Sequence, residues 1–178
     1  MILFLNKILN KIQRAWRTMV FRAYTKNNKS KVKILGKITT LNRNIKVGKN
    51  VTIYPDVMFF GDGLIEIGDN VDIGNGTIVY ASKSGGVKIG DNSMIAAQCY
   101  IIDCDHGIAA DMLMREQKNT VEAVNIGNDV WVAASCKILK GSKIGDGAVI
   151  GASSVVKGEV PINAIAVGAP AKVKKYRE

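Results

Sequence analysis

Aromatic residues are scarce in this sequence: only 6% of its 178 residues are Phe, Trp or Tyr, and proline occurs three times. A core without many aromatic rings must be filled by small and branched aliphatic side chains. Glycine occurs eighteen times, and glycine is the residue that tight turns use most readily. A chain of this length can bury one substantial core. The composition therefore favours one domain of short strands and many turns.

Cysteine and histidine are too few for two common kinds of stabilising site. Cys99, Cys104 and Cys136 form no CxxC pair, and His106 is the single histidine. Three cysteines cannot all pair within one chain, so we expect small buried thiols, no disulfide scaffold and a reducing cytoplasm. The same counts predict no zinc or other metal site. No uncharged apolar run approaches the ~20 residues of a membrane-spanning helix.

Acidic residues are absent from residues 1–33, which contain nine of the 25 lysine and arginine residues. Residues 34–178 hold the remaining sixteen bases against fifteen acids, so nearly all of the net charge of +10 lies in the first segment. A nearly neutral main domain offers no extended basic surface for a polyanion. Nucleic acid is therefore not an expected partner.

The basic N-terminal segment has the periodicity of an amphipathic helix. Its apolar positions are Leu5, Ile8, Leu9, Ile12, Trp16, Met19 and Val20, and its basic positions are Lys7, Lys11, Arg14 and Arg17. Residues 1–22 could contact an anionic membrane peripherally, with Trp16 at the level of the headgroups. The apolar face could instead pack on the body of the protein or on a neighbouring subunit. The pattern alone leaves these alternatives open.

A six-residue repeat of aliphatic residues begins beyond Lys33 and is interrupted by short insertions. Its members are Val47, Ile53 and Phe59; Ile67, Ile73 and Val79; Ile89, Ile95 and Ile101; and Ile126, Val132, Ile138, Ile144, Ile150 and Val156. Six residues are too few for a helical repeat, but they suit one short strand and one corner of a parallel β-helix. Three such units make a triangular coil, and stacked coils bury the aliphatic residues in columns. A β-sandwich would need longer strands with a period of two.

The longest interruption of the repeat runs over residues 102–123. It contains Asp103, Asp105, His106, Asp111, Arg115 and Glu116. A segment this long and polar must leave the prism as a loop. Loops held by a rigid scaffold often carry the chemistry of a protein, so this loop is the first place to look for a site.

Four stretches are more specific than the repeat itself. They are Asp105-His106-Gly107-Ile108, the segment 126–132 (IGNDVWV), the segment 144–156 (IGDGAVIGASSVV) and the segment 167–173 (VGAPAKV). Over roughly residues 45–175, this ordered set closely resembles the hexapeptide-repeat acetyltransferases, and within them the galactoside, maltose and surface-polysaccharide O-acetyltransferases. The resemblance implies an all-β fold, a left-handed parallel β-helix with an N-terminal amphipathic α-helix and an extruded catalytic loop. It divides the chain into a helix and linker (1–33), a catalytic β-helix (34–168) and a basic tail (169–178).

In that family the loop histidine is the catalytic base, which implies this role for His106. The chemistry agrees, because a neutral imidazole can take the proton of a sugar hydroxyl as the hydroxyl attacks a thioester carbonyl. Asp103 or Asp105 could hold the tautomer of the ring.

The resemblance also implies that acetyl-CoA binds in a groove between neighbouring prisms of a homotrimer. The implied contacts are Ala134 and Ala152 on the pantetheine arm, Trp131 beside them, and Lys172 and Lys175 on the phosphates. Lys157-Gly158 stands where the sugar acetyltransferases carry a Thr-Lys pair that contacts CoA. A backbone N–H at one of the alanines could stabilise an oxyanion.

These observations predict an enzyme that acetylates a hydroxyl of a surface polysaccharide, a lipopolysaccharide or a precursor of either. The alternative is an N-acetyltransferase acting on a nucleotide-linked amino sugar, since the same base serves an amine. The single histidine disfavours a hexapeptide-repeat carbonic anhydrase, which needs several histidines for zinc. The departure of the basic N-terminal helix from the galactoside and maltose enzymes favours an acceptor near a membrane. The expected location is cytoplasmic, with possible peripheral contact at the inner face of the membrane.

Overall fold

A computed structural model describes residues 2–25 and 31–178, with side-chain environments within the helix from residue 6 onward. One helix, α1 (Ile2–Thr25), precedes a series of short strands. In chain order the strands are β1 (Lys31–Ile34), β2 (Thr39–Thr40), β3 (Ile45–Val47), β4 (Lys49–Ile53), β5 (Met58–Gly61), β6 (Ile65–Ile67), β7 (Asp72–Ile73), β8 (Ile78–Ala81), β9 (Val87–Ile89), β10 (Met94–Ile95), β11 (Tyr100–Ile102), β12 (Cys104–Asp105), β13 (Thr120–Val121), β14 (Val124–Ile126), β15 (Trp131–Val132), β16 (Lys137–Ile138), β17 (Lys143–Ile144), β18 (Val149–Ile150), β19 (Val155–Val156), β20 (Glu159–Val160), β21 (Ala164–Val167) and β22 (Lys172–Tyr176). A 3₁₀ turn spans Met114–Glu116.

The strands form the three faces of a prism. Sheet A has the order β1-β4-β7-β10-β15-β18-β21-β22, sheet B has the order β2-β5-β8-β11-β16-β19, and sheet C has the order β3-β6-β9-β14-β17-β20. Pairing is parallel except between β21 and β22, and in the small hairpin of β12 and β13. Each turn of the chain thus adds one strand to each sheet. The predicted left-handed parallel β-helix of hexapeptide repeats is confirmed.

The core is made of aliphatic side chains that lie directly above one another. In sheet A the register aligns Ile34, Ile53, Ile73, Ile95, Val132, Ile150 and Ala166, all nearly inaccessible to solvent. The hexad positions predicted from the sequence are buried, except Val47, which is half-buried at the edge of the core. The three cysteines are buried, as predicted. Because two-residue strands hold few hydrogen bonds of their own, this stacking supplies most of the cooperativity.

The corner between sheets C and A is bound by side chains as well as by backbone. Asp69 Oδ1 accepts a hydrogen bond from Lys49 N at 2.7 Å, and Asp91 Oδ1 accepts one from Asp69 N at the same distance. Asn128 and Asp146 repeat this contact in the following coils. Asn70 and Asn92 adopt positive φ at the adjacent position, a conformation that Asn tolerates better than most residues. The Gly-Asp-Asn sequence of these corners is therefore explained by turn geometry.

Among the described side chains of helix α1, those of its C-terminal part attach the helix to the prism. Phe21 is buried against Phe59, with ring centroids 6.2 Å apart, and closes the open end of the core. Thr18 Oγ1 accepts a hydrogen bond from Ile34 N at 3.3 Å. Met19 and Val20, on the other side of the same turns, remain exposed. From Ile8 to Val20, the described part of the apolar face therefore stays largely exposed and does not pack closely on the body of the protein, contrary to one of the interpretations left open by the sequence.

At the other end of the prism, residues 169–178, predicted as a basic tail, include strand β22. This strand runs antiparallel to β21 and covers the last coil at the edge of sheet A. Arg177 extends the attachment by donating to Asp129 Oδ2 at 2.9 Å and to the Gly147 carbonyl at 2.8 Å. In the described part of the chain, no helix is long and apolar enough to cross a membrane.

Adjacent residues of strand β9 provide a test of the core. Replacement of Ile89, which is buried in sheet C, by Ala removes atoms that the neighbouring coils cannot replace, and we expect a loss of about 2–5 kcal/mol in the free energy of unfolding. Lys88→Ala on the outer face of the same strand should change it by less than ~0.5 kcal/mol. Denaturant titration measures both. Equal losses for the two variants would contradict the inward column.

Candidate active site

The predicted loop leaves the prism at the corner between sheets B and C, after β11, and returns at β14. Its base is the β12–β13 hairpin, in which Asp105 lies opposite Thr120. Its tip is held by one side chain: Gln117 accepts from Ala109 N at 2.7 Å and donates to the carbonyls of Ala109 and Met112 at 2.9 and 2.8 Å. A single amide therefore fixes both sides of the loop.

Asp103 is fully buried at the start of the loop and binds the turn of the preceding coil. Its carboxylate accepts hydrogen bonds from Ser82 N, Ser82 Oγ and Gly86 N at 2.7–2.9 Å. Gly85 lies so close to this carboxylate that a Cβ atom there would be 2.4 Å from Asp103 Oδ2. These contacts use both oxygens of Asp103, so the residue anchors the loop to the 82–86 turn in this arrangement.

His106 lies exposed immediately after the hairpin strand β12. Among the described residues, no hydrogen bond reaches its ring. Asp105 is exposed beside it and lies 3.9 Å from Lys140 Nζ, which also forms a 3.0 Å ion pair with Glu122. The hydrogen bond to Glu122 raises the pKa of Lys140, so this ammonium stays charged. The base of the loop is thus a charged cluster of two carboxylates around one lysine.

Trp131, Ala134 and Ala152 lie on the corner between sheets A and B and on the adjoining outer face of sheet A. Ala134 and Ala152 occupy the same corner position in successive coils, joined by a 2.9 Å hydrogen bond from Ser153 N to the Ala134 carbonyl. Both alanines are exposed, and within residues 2–25 and 31–178 neither N–H has an acceptor. Trp131 is 48% exposed on β15. The corner therefore presents two free N–H groups and an aromatic ring with no bulky side chain between the alanines.

The three candidate lysines lie in two places. Lys175 pairs with Ile165 and belongs to the outer row of sheet A that continues through Val149 to Trp131, whereas Lys172 pairs with Val167. Lys157 follows β19 at the corner between sheets B and C, the corner from which the loop emerges. All three are exposed. Trp131, Lys172 and Lys175 thus lie on the same sheet, with strands β18 and β21 between the tryptophan and the lysines, and Lys157 lies apart from them.

The loop and the alanines lie at different corners of one prism, so no hydrogen bond or ion pair between described residues joins His106 to Ala134 or Ala152. The structure also adds residues that sequence reasoning missed. Glu122 and Lys140 border Asp105, and Gln117 holds the loop tip. Nothing in their local sequence marks them: Lys140 meets Asp105 and Glu122 only when the chain returns to the same corner one coil later, and the contacts of Gln117 depend on how the loop folds back on itself.

The two aspartates of the loop provide a matched pair for testing the anchor. Asp103→Ala leaves the part-buried N–H groups of Ser82 and Gly86 without an acceptor and empties a fully buried position, and we expect a loss of about 3 kcal/mol in stability. Asp105→Ala removes an exposed carboxylate and should cost less than ~1 kcal/mol. Chemical denaturation measures both. A stable Asp103→Ala protein would show that the turn does not depend on this carboxylate.

The family model described as bacterial transferase hexapeptide (six repeats) matches residues 123–158. Among curated proteins, the chain is 37% identical over 130 residues to WbbJ of Escherichia coli K12, a provisionally assigned lipopolysaccharide-biosynthesis O-acetyltransferase; the match covers 66% of this chain and 63% of WbbJ. It is 33% identical over 134 residues to WcaF of the same organism, provisionally assigned as a colanic acid biosynthesis acetyltransferase, covering 74% of this chain and 69% of WcaF. The chain spans only 39% of the length of a further relative, from Mycobacterium tuberculosis.

The fold also matches solved structures. The N-acyltransferase AntD of Bacillus cereus, in complex with dTDP and coenzyme A, superposes with a TM-score of 0.74 at 22% identity, covering 84% of this chain and 82% of AntD. At that identity the likeness shows a shared fold. Together with the ordered repeats and the extent of the match to WcaF, these findings establish that the chain belongs to the hexapeptide-repeat acetyltransferase family, in the branch of the galactoside and surface-polysaccharide O-acetyltransferases.

Proposed function

We propose that this protein transfers the acetyl group of acetyl-CoA to a hydroxyl of a surface polysaccharide, a lipopolysaccharide or a precursor of either. The proposal rests on one observation. In a chain that belongs to a family of acetyltransferases, the single histidine is exposed at the base of a loop whose tip is held by the Gln117 side chain. The names of WbbJ and WcaF, which associate those relatives with lipopolysaccharide and colanic acid biosynthesis, favour a glycan acceptor.

In the proposed reaction, His106 takes the proton of the acceptor hydroxyl as the oxygen attacks the thioester carbonyl. The carbonyl oxygen gains negative charge, which a free N–H of Ala134 or Ala152 can stabilise by donating a hydrogen bond. Collapse breaks the carbon–sulfur bond, and the proton held by His106 returns to the leaving sulfur. Acetyl-CoA supplies the acetyl group. The protein supplies the base, His106, and the hydrogen-bond donor, the N–H of Ala134 or Ala152.

A hydrogen-bond acceptor is needed to fix the tautomer and orientation of the His106 ring. We assign different parts of this task to the two carboxylates of the loop. Asp105 is exposed next to His106, so a small rotation on substrate binding could bring its carboxylate to the ring. Asp103 acts on the position of the ring through the anchored backbone, because its oxygens are occupied by Ser82 and Gly86.

The outer face of sheet A fits a long thin donor substrate. The exposed alanines let the pantetheine arm approach the backbone closely, and Trp131 offers an apolar surface beside them. Lys172 and Lys175, at the edge of the same sheet, are placed to meet phosphate groups as point charges. Lys157 lies at the loop corner, where we expect it to meet CoA bound to a neighbouring prism.

We further propose a homotrimer, because the faces of the prism differ in the polarity of their outer rows. Sheet C carries the charged row Lys46, Glu66, Lys88, Asn125, Lys143 and Glu159, whereas sheet B carries Met58, Ile78, Tyr100, Lys137 and Val155. Apolar outer rows favour contact with another subunit, and a charged row favours solvent. Such an assembly would bring the loop of one prism to the alanine corner of the next, which one prism alone does not do.

The location follows the same reasoning. We propose a cytoplasmic enzyme that contacts the inner face of the membrane peripherally through residues 1–22, because the apolar face of α1 points away from the prism. An N-acetyltransferase acting on a nucleotide-linked amino sugar is the alternative, and an acceptor panel containing both classes separates it from O-acetylation.

Removal of the proposed base tests the mechanism directly. His106→Ala should retain the fold and lower turnover by roughly 10²–10⁴-fold, the usual contribution of general base catalysis. Release of the CoA thiol in the presence of a panel of glycans and nucleotide sugars measures the rate, and Lys118→Ala, an exposed change in the same loop, is the control. Near-wild-type transfer by folded His106→Ala would remove this residue from the mechanism.

Light scattering tests the assembly. We expect the wild type to be a trimer and Ile78→Glu, which places a charge on the apolar row of sheet B, to shift it to monomers that lose transferase activity. Asn125→Glu introduces the same charge on sheet C between Lys88 and Lys143 and should remain trimeric. A wild-type monomer with full activity would refute the shared site.

A further inference from the structure

Helix α1 turns an unpartnered apolar stripe to solvent. Ile8, Leu9, Ile12, Trp16, Met19 and Val20 form this stripe, and each is between 42 and 62% exposed. The residues that attach the helix to the prism, Thr18 and Phe21, lie on another face. A stripe of this size on an otherwise basic helix is the pattern of helices that lie in the interface of a lipid bilayer.

A groove of about 530 Å³ runs beside the same helix, between α1 and strand β1. We call it the helix groove and define it by the four cations that line it, Lys11, Arg14, Arg22 and Lys33. The groove has no acidic residue in its lining. Its remaining wall is small or apolar and includes Met19, which also belongs to the apolar stripe. The groove and the stripe are therefore continuous.

The cations of the helix groove have no counter-charge of their own. Within the parts of the chain that the structure describes, none of the four forms an ion pair or a side-chain hydrogen bond. Arg22 Nε is buried and has no hydrogen-bond partner there. A buried donor without an acceptor and several like charges around one space are both unfavourable unless an anion is present. Guanidinium groups recognise phosphate and carboxylate by parallel hydrogen bonds, and of the two a phosphate offers more acceptor oxygens to a set of several cations around one space, so phosphate is the better fit.

We propose that the helix groove binds the phosphate group of an anionic phospholipid while the apolar stripe lies among the lipid chains. This inference rests on the proposed peripheral membrane contact of residues 1–22 and adds to it a defined headgroup site. Met19 connects the two surfaces, so a phosphate held by Arg22 and Lys11 would have its acyl chains directed along the stripe. A free phosphate would leave the stripe exposed. A second copy of this chain offers no acid on its own helix to meet the groove.

The experiment compares two double variants of the full-length protein that each lose one lysine and one arginine from α1. Lys11→Gln with Arg14→Gln removes two exposed groove cations, and Lys7→Gln with Arg17→Gln removes two bases outside the groove. Arg22→Gln, tested singly, addresses the buried donor. Sedimentation with phosphatidylglycerol vesicles and with phosphatidylcholine vesicles measures partition. Raising salt from about 0.1 M to about 1 M shortens the Debye length from ~10 to ~3 Å and so suppresses diffuse attraction.

At high salt we expect the wild type and the Lys7/Arg17 control to bind phosphatidylglycerol vesicles more tightly than phosphatidylcholine vesicles, and by the same ratio. In the Lys11/Arg14 double variant and in Arg22→Gln, this ratio should fall roughly tenfold. Circular dichroism checks folding of each variant. Equal losses in both doubles would mean diffuse charge attraction and overturn the site. Binding of inorganic phosphate as tight as that of a short-chain phosphatidylglycerol would overturn the lipid assignment.

Two further outcomes separate this inference from the proposals on which it depends. If the wild type binds neither kind of vesicle, membrane contact and the lipid site are both refuted. If deletion of residues 1–22 then also dissociates the trimer, the apolar stripe belongs to a subunit interface. The thiol-release assay with a soluble acceptor reports acetyl transfer independently of vesicles. Its failure would refute the enzyme proposal and leave the partition measurements to decide the lipid site.

Discussion

The in-register stacking of coils is the constraint on which the rest of this molecule depends. Each inward aliphatic lies above its counterpart from the previous coil, as Ile73 lies between Ile53 and Ile95 in sheet A. A strand of two residues has almost no stability by itself, so burial of these columns and pairing of the backbone must occur together. The repeat therefore tolerates no change of spacing along a face. It tolerates insertions only at corners, where the chain can leave and return without disturbing the columns.

The active-site loop is the largest such insertion, and its position follows from that constraint. It begins one residue after a core strand, with Asp103 binding the turn of the coil before it. Because the anchor is buried and satisfied by backbone donors, the loop is fixed at its root although its surface is exposed. A base that must meet a substrate held by other residues benefits from this fixed origin. The outer apolar rows of the prism suggest how those other residues reach it, through a neighbouring subunit.

The N-terminal helix shows a different use of the scaffold. Phe21 closes the first coil and protects the end of the core, much as strand β22 covers the last one. The helix therefore contributes to the prism with one face and remains free to bind with another. Three of its basic residues, Lys11, Arg14 and Arg22, line a groove instead of being paired with the acids of the main domain. A segment that served only as an end cap would not require this concentration of unpaired charge.

The sequence by itself determined the β-helix, the inward columns and the root of the loop, because a six-residue period reports directly which side chain points inward. It also identified His106 and the corner alanines as candidates, through motifs whose roles stay predictions. Only the tertiary structure decided that Asp103 anchors the 82–86 turn, that Lys140 lies between Asp105 and Glu122, and which face of α1 meets the prism. Those contacts join residues that are well separated along the chain. Periodicity shows which residues are buried, but contacts at the corners depend on how many residues each insertion adds and where the chain re-enters the stack.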